Sequence, residues 1–470
     1  LEKPYLKVNG ETYAEVLEKV EGEVREAIRR FVIGGDNPPA RISGEIAYLR
    51  EVASRIEASR ELSSVLDALE GRFVEPGPGG GPVRSPEVYP TGRNTYQLDP
   101  SNIPSEVAWE RGVRIAEDYL ESYYRKNGRW PRSVSVVLWA FETMKTGGET
   151  LAAIFHLLGV KPVWKSVYVR ELEVVPLEKL GRPRIDVVVT ICGIFRDTFY
   201  NMVELLDQAF RKVASLDEPE EQNFVKANSK EGKLYRVFGP PEGEYATSMT
   251  SLVESSSWKS ESELVRAYVD SMRYAYGDGF RSVEAEDEFK RLLSRVDVVA
   301  QVRDTVDYEV TDLDHYYEFL GGLTRTVEEA KGERPLVIVA DTTKEKVKVE
   351  TAESAVRRGV VTRLTNPKWL DSMLESGFTG AAKIADRVEY LLGLAATLGG
   401  VEDWMWNLAA QNIVFDKERN EKMKEENPWA FMKAVSRLLE ANKRGYWKAD
   451  QETIKRLEDE YMSVEYMLED

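Results

Sequence analysis

Cysteine and histidine are nearly absent: one Cys, Cys192, and two His, His156 and His315, in 470 residues. No disulfide framework can form, and a tetrahedral zinc site built from His and Cys is almost excluded. Cys192 closes the apolar run Val187-Val188-Val189-Thr190-Ile191 and reads as a small buried hydrophobe. A reducing, cytoplasmic location fits this cysteine usage. The sequence has no uninterrupted apolar stretch of about 18 residues, and no basic segment leads into an apolar one, so neither a membrane span nor a signal peptide is expected. It starts at Leu1 rather than Met, as a fragment or a processed product would. There is no Gly-x-x-x-x-Gly-Lys-Ser/Thr loop, and Lys145-Thr146-Gly147-Gly148 carries its lysine on the wrong side of the glycines, so ATP hydrolysis by this chain is not expected. A Gly-x-Gly-x-x-Gly turn is missing as well. Positive charge is in deficit, 64 Lys and Arg against 81 Asp and Glu for a net charge of -17, which repels a phosphate backbone and argues against nucleic acid as a partner.

What remains is a chain with 42% hydrophobic residues, enough for two or three packed cores. Residues 1–85 read as a helical N-terminal segment, with Val16, Val20, Val24, Ile28 and Phe31 at helical spacing. It ends in the loop Pro76-Gly77-Pro78-Gly79-Gly80-Gly81-Pro82, either a linker or a substrate-contacting loop. From 86 to 345 short β-branched runs alternate with amphipathic stretches. Strands are expected over 133–139, 186–192, 296–302 and 335–341, and helices over 149–158 and 199–213. Strands that are apolar throughout and alternate with helices predict an α/β fold. Its parallel sheet is of the Rossmann-like or periplasmic-binding-protein-like kind, flanked by helical N- and C-terminal segments. Ligands in such sheets bind beyond the C-terminal ends of the strands, which directs attention to 142–149, 193–197, 303–315 and 341–343. Residues 346–470 return to helical periodicity, and Asn427-Pro428-Trp429 opens one helix with proline in its first turn.

Several uncommon runs occur in a fixed order. They start with Pro90-Thr91-Gly92-Arg93-Asn94, Leu98-Asp99-Pro100 and Ile103-Pro104, followed by Val137-Leu138-Trp139 and Lys145-Thr146-Gly147-Gly148-Glu149. Next come Gly181-Arg182-Pro183-Arg184-Ile185-Asp186, Gly193-Ile194-Phe195-Arg196-Asp197, Asp217-Glu218-Pro219, Asn223-Phe224-Val225 and Arg236-Val237-Phe238-Gly239. Asp314-His315-Tyr316-Tyr317, Asn366-Pro367-Lys368-Trp369, Asp403-Trp404-Met405 and Asn427-Pro428-Trp429 complete the series. Over about 71–447 the chain resembles the large subunit of ATP-dependent metal chelatases, the subunit type shared by cobaltochelatase and magnesium chelatase. The resemblance implies a subunit that binds a tetrapyrrole and takes a divalent metal, cobalt or magnesium, as substrate. It also implies that AAA+ ATPase and integrin-like partner subunits hydrolyse the ATP. The runs around 314–323 and 394–404 look closer to cobaltochelatases, and cobalt insertion into a corrin-type ring is the first expectation. Glu254-Ser255-Ser256-Ser257-Trp258 and 440–447 hint at magnesium and protoporphyrin instead; a non-catalytic tetrapyrrole-binding module is a third reading. Two departures stand out. Gly81 replaces an acidic residue, and 303–307 replaces an asparagine-rich stretch of cobalt-type members.

Metal insertion must remove two pyrrole protons and strip water from the cation, tasks suited to a carboxylate or a neutral imidazole. His315, flanked by Asp312 and Asp314, is the candidate for proton acceptance or metal delivery, with Asp312 as a second metal ligand; a loop histidine can equally be a structural hydrogen-bonder. Asp314 and Glu149 are the other candidate catalytic residues, although an acid at the start of a helix is also favoured by the helix dipole. Candidate substrate contacts are Arg93, Asn94, Lys145, Arg196, Asp197 and Tyr316. Arg196 and Asp197 either pair with each other or hold substrate carboxylates through the guanidinium fork. His156 reads as a packed helix residue. The pairs Tyr316-Tyr317 and Trp404/Trp406 suit core packing or contact with a macrocycle.

Overall fold

Ser133–Leu138, Asp186–Ile191 and Val298–Arg303 are buried at every residue, as strands covered on both faces must be. They are the centre of an eight-stranded sheet. Its strands are β1 (Ser133–Leu138), β2 (Asp186–Ile191), β3 (Val237–Gly239), β4 (Tyr274–Gly277), β5 (Phe280–Glu284), β6 (Val298–Arg303), β7 (Leu336–Asp341) and β8 (Lys348–Thr351), in the order β8-β7-β6-β1-β2-β3-β4-β5. The five inner strands, β7 through β3, run parallel; β8, β4 and β5 add antiparallel edges. The four expected strands are present within two residues of their predicted bounds. The short strands β3, β4, β5 and β8, and a separate antiparallel pair, Val160–Lys165 with Tyr168–Val174, carry no comparable apolar run.

In this computed structural model the described residues are 13–79, 86–96, 100–165, 168–229 and 233–469. The chain divides into two units, Leu1–Asp99 and Pro100–Asp470. The first holds helices Tyr13–Ala27, Ser43–Glu57 and Glu61–Leu69 and the parallel pair Pro76–Pro78 with Asn94–Tyr96. The expected apolar stripe is on the first helix but is not buried: Val16, Val20 and Val24 are 37%, 51% and 52% exposed. Ile28–Ile33 continues as a π-helical turn. Leu98, Asp99 and 80–85, including Gly81, lie outside the described residues.

The second unit contains the sheet and all later helices. Of its helices, α1 (Glu106–Asn127) is capped by Ser105, whose hydroxyl accepts the Ala108 N–H at 3.2 Å, and ends on Gly128 in the left-handed region. It packs along α3 (Glu149–Leu158), which α2 (Ala140–Thr146) precedes. The helix Pro428–Lys443 opens as expected, with the Asn427 side chain accepting the Ala430 N–H at 3.0 Å and proline in its first turn.

From β1 the chain builds outward through β2 and β3, then returns to add β6 and β7 on the other side. The strand order therefore reverses between β1 and β6, and in parallel sheets the ligand crevice lies beyond the C-terminal ends of the strands at such a switch point. The opposite pole is closed by buried ion pairs. Arg184 grips Glu218 with two 2.8 Å bonds, and Asn223 donates to the same carboxylate at 3.0 Å. Arg236 and Asn228 each hold Asp186 at 2.8 Å. Arg182 donates to the carbonyls of His156 and Leu157 at the end of α3. Residues from four of the motif runs thus converge on one scaffold cluster at the N-terminal edge of β2.

Arg236 and Asp186 are both buried, so truncating one partner leaves an uncompensated charge. Arg236→Leu should cost about 3–5 kcal/mol in chemical denaturation. Arg125→Leu, which breaks the exposed Arg125–Glu121 pair, should cost less than about 1 kcal/mol.

Candidate functional site

The crevice is walled on one side by the segment after β1. Two consecutive glycines, Gly147 and Gly148, with φ of 69° and 92°, reverse the chain between α2 and α3. A Cβ on Gly148 would stand 2.4 Å from the Ile103 side chain, so the turn needs glycine for space as well as for backbone angle. Thr146 Oγ1 accepts the N–H groups of Gly148 and Glu149 at 3.1 Å each and donates to Glu142 Oε1 at 3.1 Å; Thr150 adds a second hydroxyl to that oxygen at 2.9 Å. Glu142 and Glu149 are both buried. Glu149 is held by Arg111 of α1, whose Nε donates to Oε1 at 2.6 Å. The same guanidinium donates to the carbonyls of Thr342, Lys344 and Glu345 after β7. Burial, followed by the charges of Asp304 and Glu149, pushes the Glu142 carboxyl up to about 8 against the two threonine hydroxyls.

The other wall is the loop after β6. Asp304 pairs with Lys145 at 3.0 Å. Arg303 bridges Asp341 at 2.8 Å and Glu309 at 3.1 Å, and Arg358 joins Glu309 at 3.0 Å and also contacts Glu350. For Asp341, burial works against ionisation, but the Thr343 hydroxyl and N–H and the charge of Arg303 outweigh it and hold the carboxyl below its usual range. The loop ends at His315, which precedes a π-helical turn, Tyr316–Gly321. The imidazole lies over Trp139, the residue after β1, with ring centroids 5.0 Å apart. Nδ1 is 3.2 Å from Asp314 Oδ1 and 3.4 Å from Glu318 Oε2, and the ring is half exposed. Burial lowers the proton affinity of His315, but the hydrogen bond to Glu318 and the charges of Asp314 and Glu318 prevail, raising its pKa above the ordinary histidine value.

The sequence profile of the CobN/Magnesium Chelatase family matches residues 3–454. The chain belongs to this family. It is 37% identical over 441 residues to the magnesium-chelatase subunit ChlH, chloroplastic, of Oryza sativa, covering 90% of this chain and 32% of that protein. It is 36% identical over 428 residues to the aerobic cobaltochelatase subunit CobN of a Sinorhizobium species, covering 85% of this chain and 34% of the relative. The solved catalytic subunit of cobaltochelatase from Mycobacterium tuberculosis superposes with a TM-score of 0.88 at 36% identity, covering 98% of this chain and 41% of that one. The chain thus spans about a third of the length of the curated relatives it matches.

Within this family fold the candidate residues separate into groups. At the switch point, His315 and Asp314 lie on the β6 side against Trp139, Lys145 reaches from the β1 side to Asp304, and Glu149 is buried and held by Arg111. Arg93 and Asn94 lie in the first unit, where Arg93 lies over Gly77 and Asn94 begins a strand. Asp312 is not open to a metal: Arg387 at 2.7 Å, Arg363 at 3.2 Å and the Glu309 N–H at 2.9 Å occupy both of its oxygens, so it anchors the loop. Arg196 is likewise engaged. It pairs with Asp197 through bonds of 2.7 and 3.1 Å and donates to the carbonyls of Pro240, Pro241 and Glu244, which pins the loop after β3 and leaves the fork unavailable for substrate carboxylates. Tyr316 and Tyr317 are buried, and so is Trp406. His156 is packed, 6.1 Å from Trp109, and burial lowers its pKa to about 4. The runs at 254–258 and 440–447 pack on each other, with Arg444 donating to the Trp258 carbonyl at 3.0 Å. Among the described residues no group of three or more His, Cys, Asp or Glu is disposed to hold a metal ion, and no helix is long and apolar enough to cross a membrane.

Glu142, Asp304, Glu318 and Trp139 lie in stretches the sequence singles out, but only the structure gives them partners at the candidate site; Arg111 lies outside every such stretch and is identified by its bond to Glu149.

Glu142 gives a test by linkage. Its carboxyl titrates near 8 when folded against 4.5 otherwise, so between these values the folded state holds more protons than the unfolded. Stability should fall as pH rises through that window, by up to about 1.4 kcal/mol per pH unit from this group. Subtracting the Glu142→Gln stability curve from the parent curve should isolate that slope; parallel curves would show that Glu142 ionises normally.

Proposed function

We propose that this chain carries the tetrapyrrole-facing catalytic region of an ATP-dependent metal chelatase, inserting cobalt into a corrin-type ring. Insertion of magnesium into protoporphyrin is the alternative. The observation that carries the reading is the placement of His315. A half-exposed imidazole with two carboxylates at Nδ1 rests on an indole at the switch point of a parallel sheet. A flat aromatic floor suits a macrocycle, and an imidazole beside carboxylates suits both the cation and the departing pyrrole protons.

In this reading one of the two pyrrole protons passes to His315 and the other to water as the metal passes to the ring nitrogens, and Asp314 stabilises the imidazolium formed. Glu149, fixed by Arg111, holds the double-glycine turn against the loop after β7 and so positions the segment that carries Lys145. Lys145, paired with Asp304 but partly exposed, is the group that can reach a peripheral carboxylate of the tetrapyrrole. In this reading ATP is hydrolysed by separate AAA+ and integrin-like subunits in the cytoplasm. Relatives named for cobalt and for magnesium match about equally well. The preference for cobalt rests on the runs at 314–323 and 394–404.

His315→Ala in the assembled complex should reduce metal insertion by roughly 10²-fold, with tetrapyrrole affinity and melting temperature little changed. Because its proton affinity is raised, insertion by the parent should decline on acidification at a pH above the ordinary histidine value. A variant that inserts metal at the parent rate while melting several degrees lower would assign the histidine a structural role only. Comparing hydrogenobyrinic acid diamide with protoporphyrin by absorbance titration decides the macrocycle. The purified chain alone should hydrolyse no ATP.

A further inference from the structure

Glu318 is one turn beyond His315 and almost completely buried, with a side chain 1% exposed. Its two oxygens point to different elements. Oε1 accepts the Thr247 N–H at 2.5 Å, which ties it to the segment after β3, and Oε2 faces His315 Nδ1 at 3.4 Å. The second carboxylate at Nδ1, Asp314, is a third exposed and can rotate away.

A nitrogen that faces two carboxylate oxygens must carry a hydrogen, because its lone pair would otherwise meet theirs. Which imidazole nitrogen bears the proton is set by the hydrogen bond the other one makes or lacks. We infer that Glu318 is the positioning residue of the site: it fixes neutral His315 with the proton on Nδ1 and presents the Nε2 lone pair outward to the reacting centre. Trp139 and Phe319, at 5.0 and 6.4 Å between centroids, bracket the ring and limit its rotation about the Glu318 contact. The inference rests on the proposed role of His315, but the tautomer itself can be read without substrate.

The protein has only two histidines, so nitrogen NMR on histidine-labelled chain gives two imidazole patterns, assigned with His156→Gln. At a pH where both rings are neutral, His315 should show a protonated Nδ1 and an unprotonated Nε2. In Glu318→Gln the amide oxygen must stay on the Thr247 N–H, which turns the amide N–H toward Nδ1. The His315 pattern should then invert to Nε2–H, and metal insertion by the assembled complex should fall roughly 10- to 100-fold at unchanged tetrapyrrole affinity. Asp314→Asn should keep the parent tautomer. A parent spectrum dominated by Nε2–H, obtainable even if the variant does not fold, overturns the inference, as does an unchanged pattern in Glu318→Gln. Inversion without loss of insertion would leave Glu318 as the positioning residue and remove His315 from the chemistry, so the two ideas fail separately.

Discussion

Carboxylates of one sign crowd the C-terminal ends of β1 and β6, and the local architecture follows from keeping them there. Glu142 and Glu149 are buried, and Glu142 is within electrostatic reach of both Glu149 and Asp304, so each needs donors that cannot drift away. Arg111 reaches across from α1 to Glu149 and fixes the loop after β7 with its remaining N–H groups. Thr146 and Thr150 hold Glu142, and Lys145 holds Asp304. Burial, reinforced by the excess negative charge that three carboxylates against two cations leave, is why Glu142 takes up a proton so readily. The double-glycine turn makes this possible, since it lets one threonine serve Glu142 and two backbone N–H groups together.

The motif runs divide between two poles of the sheet. At the N-terminal edge of β2, Arg184, Asp186, Glu218, Asn223 and Arg236 form buried, mutually satisfied pairs. Such pairs add little net stability over apolar packing but are costly to break singly, and they fix the register of the strands that carry the site. At the C-terminal edge the motif residues are a mixture, with His315 and Lys145 partly exposed and Glu149 and Arg196 buried. The same family signature therefore contains scaffold residues at one pole and the proposed site at the other, and position relative to strand direction separates them.

The strands flanking the crevice were legible because β1, β2, β6 and β7 are runs of β-branched residues long enough to be recognised. Three-to-five-residue strands such as β3 and β8 lack that length, and their pairing is decided by neighbours in space. The site was legible in part. His315, Glu149 and Lys145 could be found among the residues just beyond the C-terminal end of each strand. Arg196 and Asp312 satisfied the same rule, yet Arg196 is consumed by the adjacent Asp197 and by carbonyls 44 to 48 residues away, and Asp312 by Arg387, 75 residues away. Glu318 escaped notice because its importance lies in where its two oxygens point, and Thr247, which holds one of them, is 71 residues away.

The central claim is that the tetrapyrrole lies at the β1/β6 crevice, and the two histidines are placed to test it. His315 is at the crevice, whereas His156 sits about 10 Å further along α3 from Glu149, seven residues at 1.5 Å each, towards the opposite pole. Paramagnetic cobalt(II) protoporphyrin titrated into histidine-labelled protein should broaden the His315 imidazole resonances at saturation and leave those of His156 sharp. Loss of the His156 resonances first, or saturable binding that leaves His315 sharp, would place the ring elsewhere and contradict the account.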